Sequence, residues 1–282
     1  MIIERKGRGK ELDKLFEIAI MLMKNDRELD LYKMIMKHPD LLNWTMDECK
    51  GAGLLHRACK MNKVSILDAL LLPLHVNENL KTKYGHTPLM IACTEDHADC
   101  VSVLLGPLTR TNVNAVDNAG FTALHIASRV NSASCIPLLI DGGADVNAVD
   151  NGGLTALHMA SGKNSASYIP LLINAGASVN AVENSGFTSL HLASELDNTS
   201  CIPLLINAGA NMNAVTNGEG ATALHKATLY NNLKSISLLI ASGADMFIVD
   251  GEGRTALYYA IQEGHHNIVD LLTVKGSSAI AD

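Results

Sequence analysis

Histidine and cysteine are the residues of this 282-residue chain with the most chemistry to offer. Five of the eleven histidines, His56, His125, His158, His191 and His225, each follow a leucine, and six cysteines, Cys49, Cys59, Cys93, Cys100, Cys135 and Cys201, are scattered among them. Imidazoles gathered within about 2 Å of one ion would make a zinc site. A thiol beside a histidine and an orienting group would make a nucleophile. The spacings argue against both. The cysteines form no CxxC pair and no compact framework, which favours reduced thiols over disulfides. Gly142-Gly143 and Gly152-Gly153 belong to neither G-x-x-x-x-G-K-[ST] nor G-x-G-x-x-G, so they read as turns rather than phosphate loops. Asp145, Asp150 and Asp250 stand beside such turns, where a carboxylate bonds backbone amides. No catalytic, cofactor-binding or metal-binding residue is expected, and no cofactor.

The histidines lie where they do because the chain repeats. Gly120-Phe121-Thr122-Ala123-Leu124-His125-Ile126-Ala127 returns as Gly153 to Ala160, Gly186 to Ala193, Gly220 to Ala227 and, with tyrosine in the histidine slot, Gly253 to Ala260. Gly85 to Ala92 fits upstream and Gly51 to Ala58 more loosely. Successive starts are 34, 35, 33, 33, 34 and 33 residues apart. A second motif keeps the same beat: Leu138 to Ala148 recurs as Leu171 to Ala181 and Leu204 to Ala214, and in shorter form as Leu238 to Asp245.

Each copy predicts two short helices. Thr122 opens the first, with Leu124 and Ala127 on one face. Ser132 and Ser134 offer caps for a second that carries Ile136, Leu139 and Ile140. Gly142-Gly143 or Ala175-Gly176 ends it, since glycine supplies a left-handed residue. Helices this short cannot bury their own apolar faces, so neighbouring copies must stack. Equivalent slots then lie about 8–10 Å apart. The five histidines therefore cannot converge on an ion, and each is expected to bond connector backbone. Cys135 and Cys201, two copies apart, are about 20 Å from each other, beyond the roughly 7 Å between Cα atoms that a disulfide tolerates. Pro137, Pro170 and Pro203 fall in the second helix of three consecutive copies, and proline is tolerated only in a first turn. Those helices should start late, near Ser134, Ser167 and Ser200.

With T-x-L-H-x-A and G-A-D-x-N at a period near 33, the chain resembles the ankyrin-repeat family over about residues 51–275. The resemblance implies an all-α ankyrin-repeat solenoid of stacked helix-turn-helix units with β-turn or hairpin connectors. It divides the chain into a helical N-terminal cap or degenerate repeat at 1–50, seven repeats starting at 51, 85, 120, 153, 186, 220 and 253, the last a C-terminal cap, and a flexible tail at 276–282. Residues 11–24 and 28–38 read as the cap's helix pair. The run Arg5-Lys6-Gly7-Arg8-Gly9-Lys10 reads as a solvated tail, and the last helix should end at Gly276.

The resemblance also implies a protein-binding module without enzymatic activity. In this family partners lie on the concave face, formed by connector tips and the exposed end of the first helix. The tip slot holds His86, Phe121, Leu154, Phe187, Ala221 and Arg254, and three consecutive apolar residues there, Phe121, Leu154 and Phe187, suggest an apolar docking stripe, unless each ring folds onto its neighbouring connector. The helix ends add Glu95, Arg129 and Val130, Lys163, Glu195 and Leu196, Leu229 and Tyr230. Tyr84, Phe121, Phe187 and Tyr230 are the candidate anchors, because aromatics dominate hot spots.

Composition narrows the partner. Net charge is −7, and residues 111–219 hold 2 basic against 8 acidic side chains. That favours a protein partner with a basic or mixed apolar surface and argues against nucleic acid, which needs a basic face. No apolar run reaches 18 residues, so no membrane partner or span is expected. Residues 15–23 are broken by Glu17 and lack a cleavage site, so they read as helix rather than signal peptide. A cytoplasmic, monomeric adaptor or scaffold is the leading reading. The alternatives are a targeting or regulatory subunit of an enzyme encoded elsewhere, and a microbial effector delivered into a host cell.

Overall fold

The structure, a computed structural model, describes residues 2–45, 50–72 and 76–281, with side chains described between residues 9 and 276 of these. The described residues form helices joined by turns, without an extended strand. They fall into two compact units, Met1–Asp145 and Val146–Asp282.

The first unit holds α1 (Ile2–Lys24), α2 (Glu28–Lys37), a 3-10 turn (Pro39–Asn43), α3 (Leu54–Lys60), α4 (Val64–Leu71), α5 (Pro88–Thr94), α6 (Ala98–Leu104), α7 (Ala123–Val130) and α8 (Cys135–Asp141). First helices pack on first helices, α3 on α5 and α5 on α7, and second on second, α4 on α6 and α6 on α8. The pair α1 and α2 packs on α3 and α4 in the same order. Phe16, Ala19, Met23, Leu31 and Ile35 bury its shared face. The second unit holds α9 (Ala156–Gly162), α10 (Ile169–Asn174), α11 (Ser189–Glu195), α12 (Ile202–Asn207), α13 (Ala223–Leu229), α14 (Leu233–Ala241), α15 (Ala256–Gln262) and α16 (His266–Ala281). It repeats the same pattern, and α16 packs against α15. Leu157, Leu190, Leu224, Ile169, Ile202 and Ile236 fill its layers.

Local sequence sets these helices. Thr87, Thr122, Thr155, Thr188, Thr222 and Thr255 each cap a first helix, the hydroxyl accepting the amide three residues on, which satisfies a donor that no helical carbonyl reaches. Between the two helices of a pair the chain turns through a left-handed residue: Asn62, Asp96, Asn131, Asn164, Asp197 or Asn231. Asparagine and aspartate are the side-chain-bearing residues that adopt this conformation at least cost.

The prolines behave as their position demands. α8, α10 and α12 start at Cys135, Ile169 and Ile202, so Pro137, Pro170 and Pro203 sit in the first turn. Their missing N–H groups would have had no helical acceptor. Pro203→Ala should therefore shift unfolding free energy by less than about 1 kcal/mol, against about 3 kcal/mol for a proline in a helix interior. A urea-denaturation difference near the larger figure would contradict this placement.

Three expectations need correction. Ser132 and Ser134 do not cap α8; both hydroxyls donate to the Asp96 carboxylate of the preceding repeat. α1 begins at Ile2, so the backbone of the basic run is helical rather than a tail. α16 passes through Gly276 to Ala281. Glycine lowers helix propensity by only about 1 kcal/mol, and no left-handed turn forms there.

Candidate protein-binding surface

The histidines act as staples. In α9 the His158 Nδ1 accepts the Thr155 amide at 3.1 Å, while Nε2 lies 3.2 Å from the Phe187 carbonyl in the next connector. His56 Nε2 reaches the His86 carbonyl (2.9 Å), His191 that of Ala221 (3.1 Å) and His225 that of Arg254 (3.0 Å). With Nδ1 accepting an amide and Nε2 facing a carbonyl, each ring is the neutral Nε2–H tautomer, and Nε2 donates. Burial, only partly opposed by the bonded carbonyls, pushes the pKa of His56 and of His191 down to about 4, and lowers His158 and His225 in the same direction. One histidine thus serves both as staple and as half of a reciprocal capping box, at the third helical position, with threonine as the other half.

Further ladders tie the copies together. Asn79, Asn114, Asn147 and Asn180 each donate their side-chain amide to a carbonyl of the next copy, at Arg110, Gly143, Gly176 and Gly209. Their carbonyls, and those of Asn43 and Asn213, accept amides about thirty residues on. At the opposite end, the left-handed Asp96 and Asp197 bond Ser132 and Ser235 at the start of the next second helix. Asn198 and Asn232 donate to the last carbonyls of the preceding first helix, at Ser161 and at Ser194 and Glu195. His97 contacts the Cys59 carbonyl in the same way. Asp117, Asp150, Glu183 and Asp250 each close their own connector by accepting two of its amides.

These partners occupy the groups that could otherwise do chemistry. Asp250 is buried, which alone would raise its pKa, but the Arg254 amide and guanidinium and the Tyr259 hydroxyl all bond it and hold it well below the usual carboxylate range. Burial and this same carboxylate push Tyr259 up to about 12. The described cysteines are free and buried, and Cys49 lies outside the described residues. Cys59 faces Cys100, and Cys93 faces Cys135; the bonded thiol and burial push Cys59 and Cys93 well up, and burial pushes Cys201 up to about 11. These three therefore stay protonated thiols at neutral pH. Cys100 and Cys135, which face Cys59 and Cys93, belong to the second helix of the following repeat, so stacking rather than sequence slot makes these neighbours. Among the described residues no cluster of His, Cys, Asp and Glu is placed to hold a metal ion.

The candidate contact residues separate by environment. Phe121 is half-buried, with the Arg129 guanidinium 4.8 Å from its ring centre and the His125 ring beside it. Phe187 is half-buried beneath Lys226, whose Nζ is 4.8 Å from the ring centre and bonds Glu219. Leu154 and His86 are also half-buried, Ala221 is buried, and Arg254 is held by Asp250, Glu252 and Tyr259. Leu229 and Glu195 are half-buried. By contrast Tyr84, Glu95, Arg129, Val130, Lys163, Leu196 and Tyr230 are exposed. Within the second unit α9, α11 and α13 pack in series, and the Leu196 side chain reaches toward Gly162. Sequence reasoning missed the repeated exposed valines Val149, Val182, Val215 and Val249, which recur one residue after an alanine or isoleucine in every connector of this unit.

Short capped helix pairs, stapled to the next connector by histidine, define a repeat protein whose recurring threonine, histidine and asparagine side chains are spent on its framework. The family model described as ankyrin repeats, three copies, matches residues 55–150, 131–216 and 190–280. The chain belongs to the ankyrin-repeat family. A stretch of 94 residues is 30% identical to the target of rapamycin complex 2 subunit AVO2 of Saccharomyces cerevisiae, covering 33% of this chain and 22% of that protein. The match thus spans about a fifth of the relative's length.

Proposed function

We propose that this chain is an adaptor or scaffold that holds a protein partner through the exposed ends of its first helices and the adjoining connectors. The observation that carries the reading is the division of labour within each repeat. Buried threonine and histidine side chains, and connector asparagines nearer the surface, recur and are used up in framework bonds. The exposed helix ends instead differ from copy to copy and include large apolar groups, with Leu196 54% and Tyr230 53% exposed. Solvated apolar and aromatic groups on a rigid support are what interface hot spots are made of. Likeness to a subunit of a multiprotein complex supports the same reading. The free thiols support a reducing, cytoplasmic setting.

The test begins with immobilised full-length chain in cell extract, identification of a stoichiometric partner, and titration of that partner in purified form. Leu196→Ala with Tyr230→Ala should weaken binding at least tenfold and leave the melting temperature unchanged. Phe187→Ala, which strips the ring from beneath Lys226, should instead cost about 1–2 kcal/mol of stability. Absence of any stoichiometric partner, or full affinity in the double variant, would count against the proposal.

A further inference from the structure

In the first unit a cleft of about 380 Å³ opens between α3 and the connector before α5, lined by Lys50, Ala52, Arg57, Lys60, Tyr84 and Ile91 among others. Its charge is one-sided. Lys50 and Lys83 place their ammonium groups 5.5 and 5.1 Å from the centre of the Tyr84 ring. Among the described residues, none of Lys50, Arg57, Lys60 and Lys83 forms an ion pair, and the buried Arg57 Nε has no hydrogen-bond acceptor. One carboxylate reaches this side: Asp117 Oδ2 lies 3.4 Å from His86 Nε2, and its Oδ1 accepts the amides of Ala119 and Phe121, so it faces the histidine rather than the lysines and arginine. Among the described residues, Lys50, Arg57 and Lys60 line one concavity and Lys83 stands beside Tyr84 at its rim, and without ion-pair partners they repel one another until an anion enters.

We infer that this cleft binds an acidic, extended peptide segment of a protein partner, with carboxylates at alternate residues. The inference rests on the reading of the chain as a protein-binding module and names what one of its surfaces recognises. The spacing of the cations favours a peptide over a single compact dianion. Arg57 and Lys60 are neighbours on one face of α3, about 5–6 Å apart at Cβ, and Lys50 and Lys83 flank Tyr84 on the connector side. Alternate side chains of an extended peptide lie about 7 Å apart on one face, which matches charges distributed along a groove. Ala52, Ile91 and the Tyr84 ring supply apolar wall for the peptide backbone and intervening side chains. Tyr84 has a second role: its ring attracts both ammonium groups by cation–π contact and so holds them at the rim before the ligand arrives.

The test is fluorescence anisotropy of the full-length chain with a fluorescein-labelled nonapeptide carrying Glu at alternate positions. The expected result is saturable binding at 50 mM NaCl that weakens about tenfold at 300 mM, as screening of partly exposed charges requires. Lys50→Glu with Lys60→Glu should weaken it at least tenfold, and so should the milder Lys60→Gln with Lys83→Gln, both with unchanged melting temperature. Lys234→Glu on α14 of the second unit should leave it unchanged. The inference is overturned if the same peptide with Gln for Glu binds equally well, if both cleft variants bind normally, or if no binding is seen. It is also overturned if inorganic phosphate or a nine-nucleotide single-stranded DNA displaces the peptide at lower concentration than unlabelled peptide does. A protein partner captured equally by wild type and the cleft variants would remove this inference and leave the binding-module reading intact; failure of wild type to capture any partner would remove the latter.

Discussion

Lowering the pH from 7 to 5 should destabilise this protein by several kcal/mol, well before its carboxylates titrate. His56 and His191 carry the effect. Each has a pKa of about 4 when folded against 6.5 when free, so the unfolded chain binds the extra proton first. Stability is complete above about pH 6.5, falls as the pH drops, and is fully lost for these groups near pH 4, because the slope has the sign of the protons bound by the unfolded chain minus those bound by the folded one. A gap of that size corresponds to about 3 kcal/mol per residue across the whole window and about 2 kcal/mol by pH 5. The structural cause is specific. Nδ1 accepts a backbone amide and Nε2 donates to a carbonyl of the next repeat, so a second proton on Nδ1 would face an N–H. His158 and His225 shift in the same direction and add to the loss. Asp250 works in a separate window, since its depressed carboxyl contributes stability above about pH 4 that is lost only below it. Urea unfolding at pH 7.5, 6.0 and 5.0 measures the slope. His191→Gln should cost stability at pH 7.5 and flatten the curve by that residue's share. A free energy that stays constant between pH 7 and pH 5 would show that the imidazoles are not held neutral.

The same staples mark the boundary of what sequence could reveal. Thr-capped first helices, the late start of the proline-bearing helices and histidine bonding to connector backbone were all legible, because each depends on residues within one repeat or on its simple translation. The asparagine ladder and the Asp96 and Asp197 clamps were not. Their partners lie 29 to 38 residues away, and the left-handed residue that aims each clamp has no signature beyond being Asn or Asp in a short loop. Their recurrence at the repeat period was the available signal, but recurrence fits a turn residue equally well. The tip phenylalanines show the reverse problem. Their position was readable, yet whether a ring is free depends on what stands over it, Arg129 for Phe121 and Lys226 for Phe187. Lys50, Arg57 and Lys60 look unremarkable along the chain; stacking one connector on the preceding first helix turns them into the lining of a single cleft, with Lys83 beside Tyr84 at its rim.

Close stacking of connectors also explains the opening glycine of repeats that another connector follows, as at Gly85, Gly153, Gly186 and Gly220, and it separates two glycines that sequence treats alike. Gly186 and Gly176 have φ of +82° and +91°, a region where a side chain costs roughly 1–2 kcal/mol. Around Gly176 nothing lies within 4 Å of an added Cβ, so Gly176→Ala should lose only that conformational term. At Gly186 a Cβ would stand 2.4 Å from the Asn217 amide nitrogen, which donates to the Ser185 carbonyl at 2.8 Å. Backbone cannot rotate out of the way as a side chain would. Gly186→Ala must therefore push two connectors apart, breaking that bond and straining the nearby contact of His191 Nε2 with the Ala221 carbonyl. The expected loss is about 3–4 kcal/mol, the backbone cost plus one or two framework bonds left unmade. Because stability in stacked repeats passes from neighbour to neighbour, the damage should also lower the cooperativity of unfolding, seen as a smaller denaturant slope in Gly186→Ala but not in Gly176→Ala. Equal losses in the two variants would mean that left-handed backbone alone, and not the approach of the next connector, selects glycine at the start of each repeat.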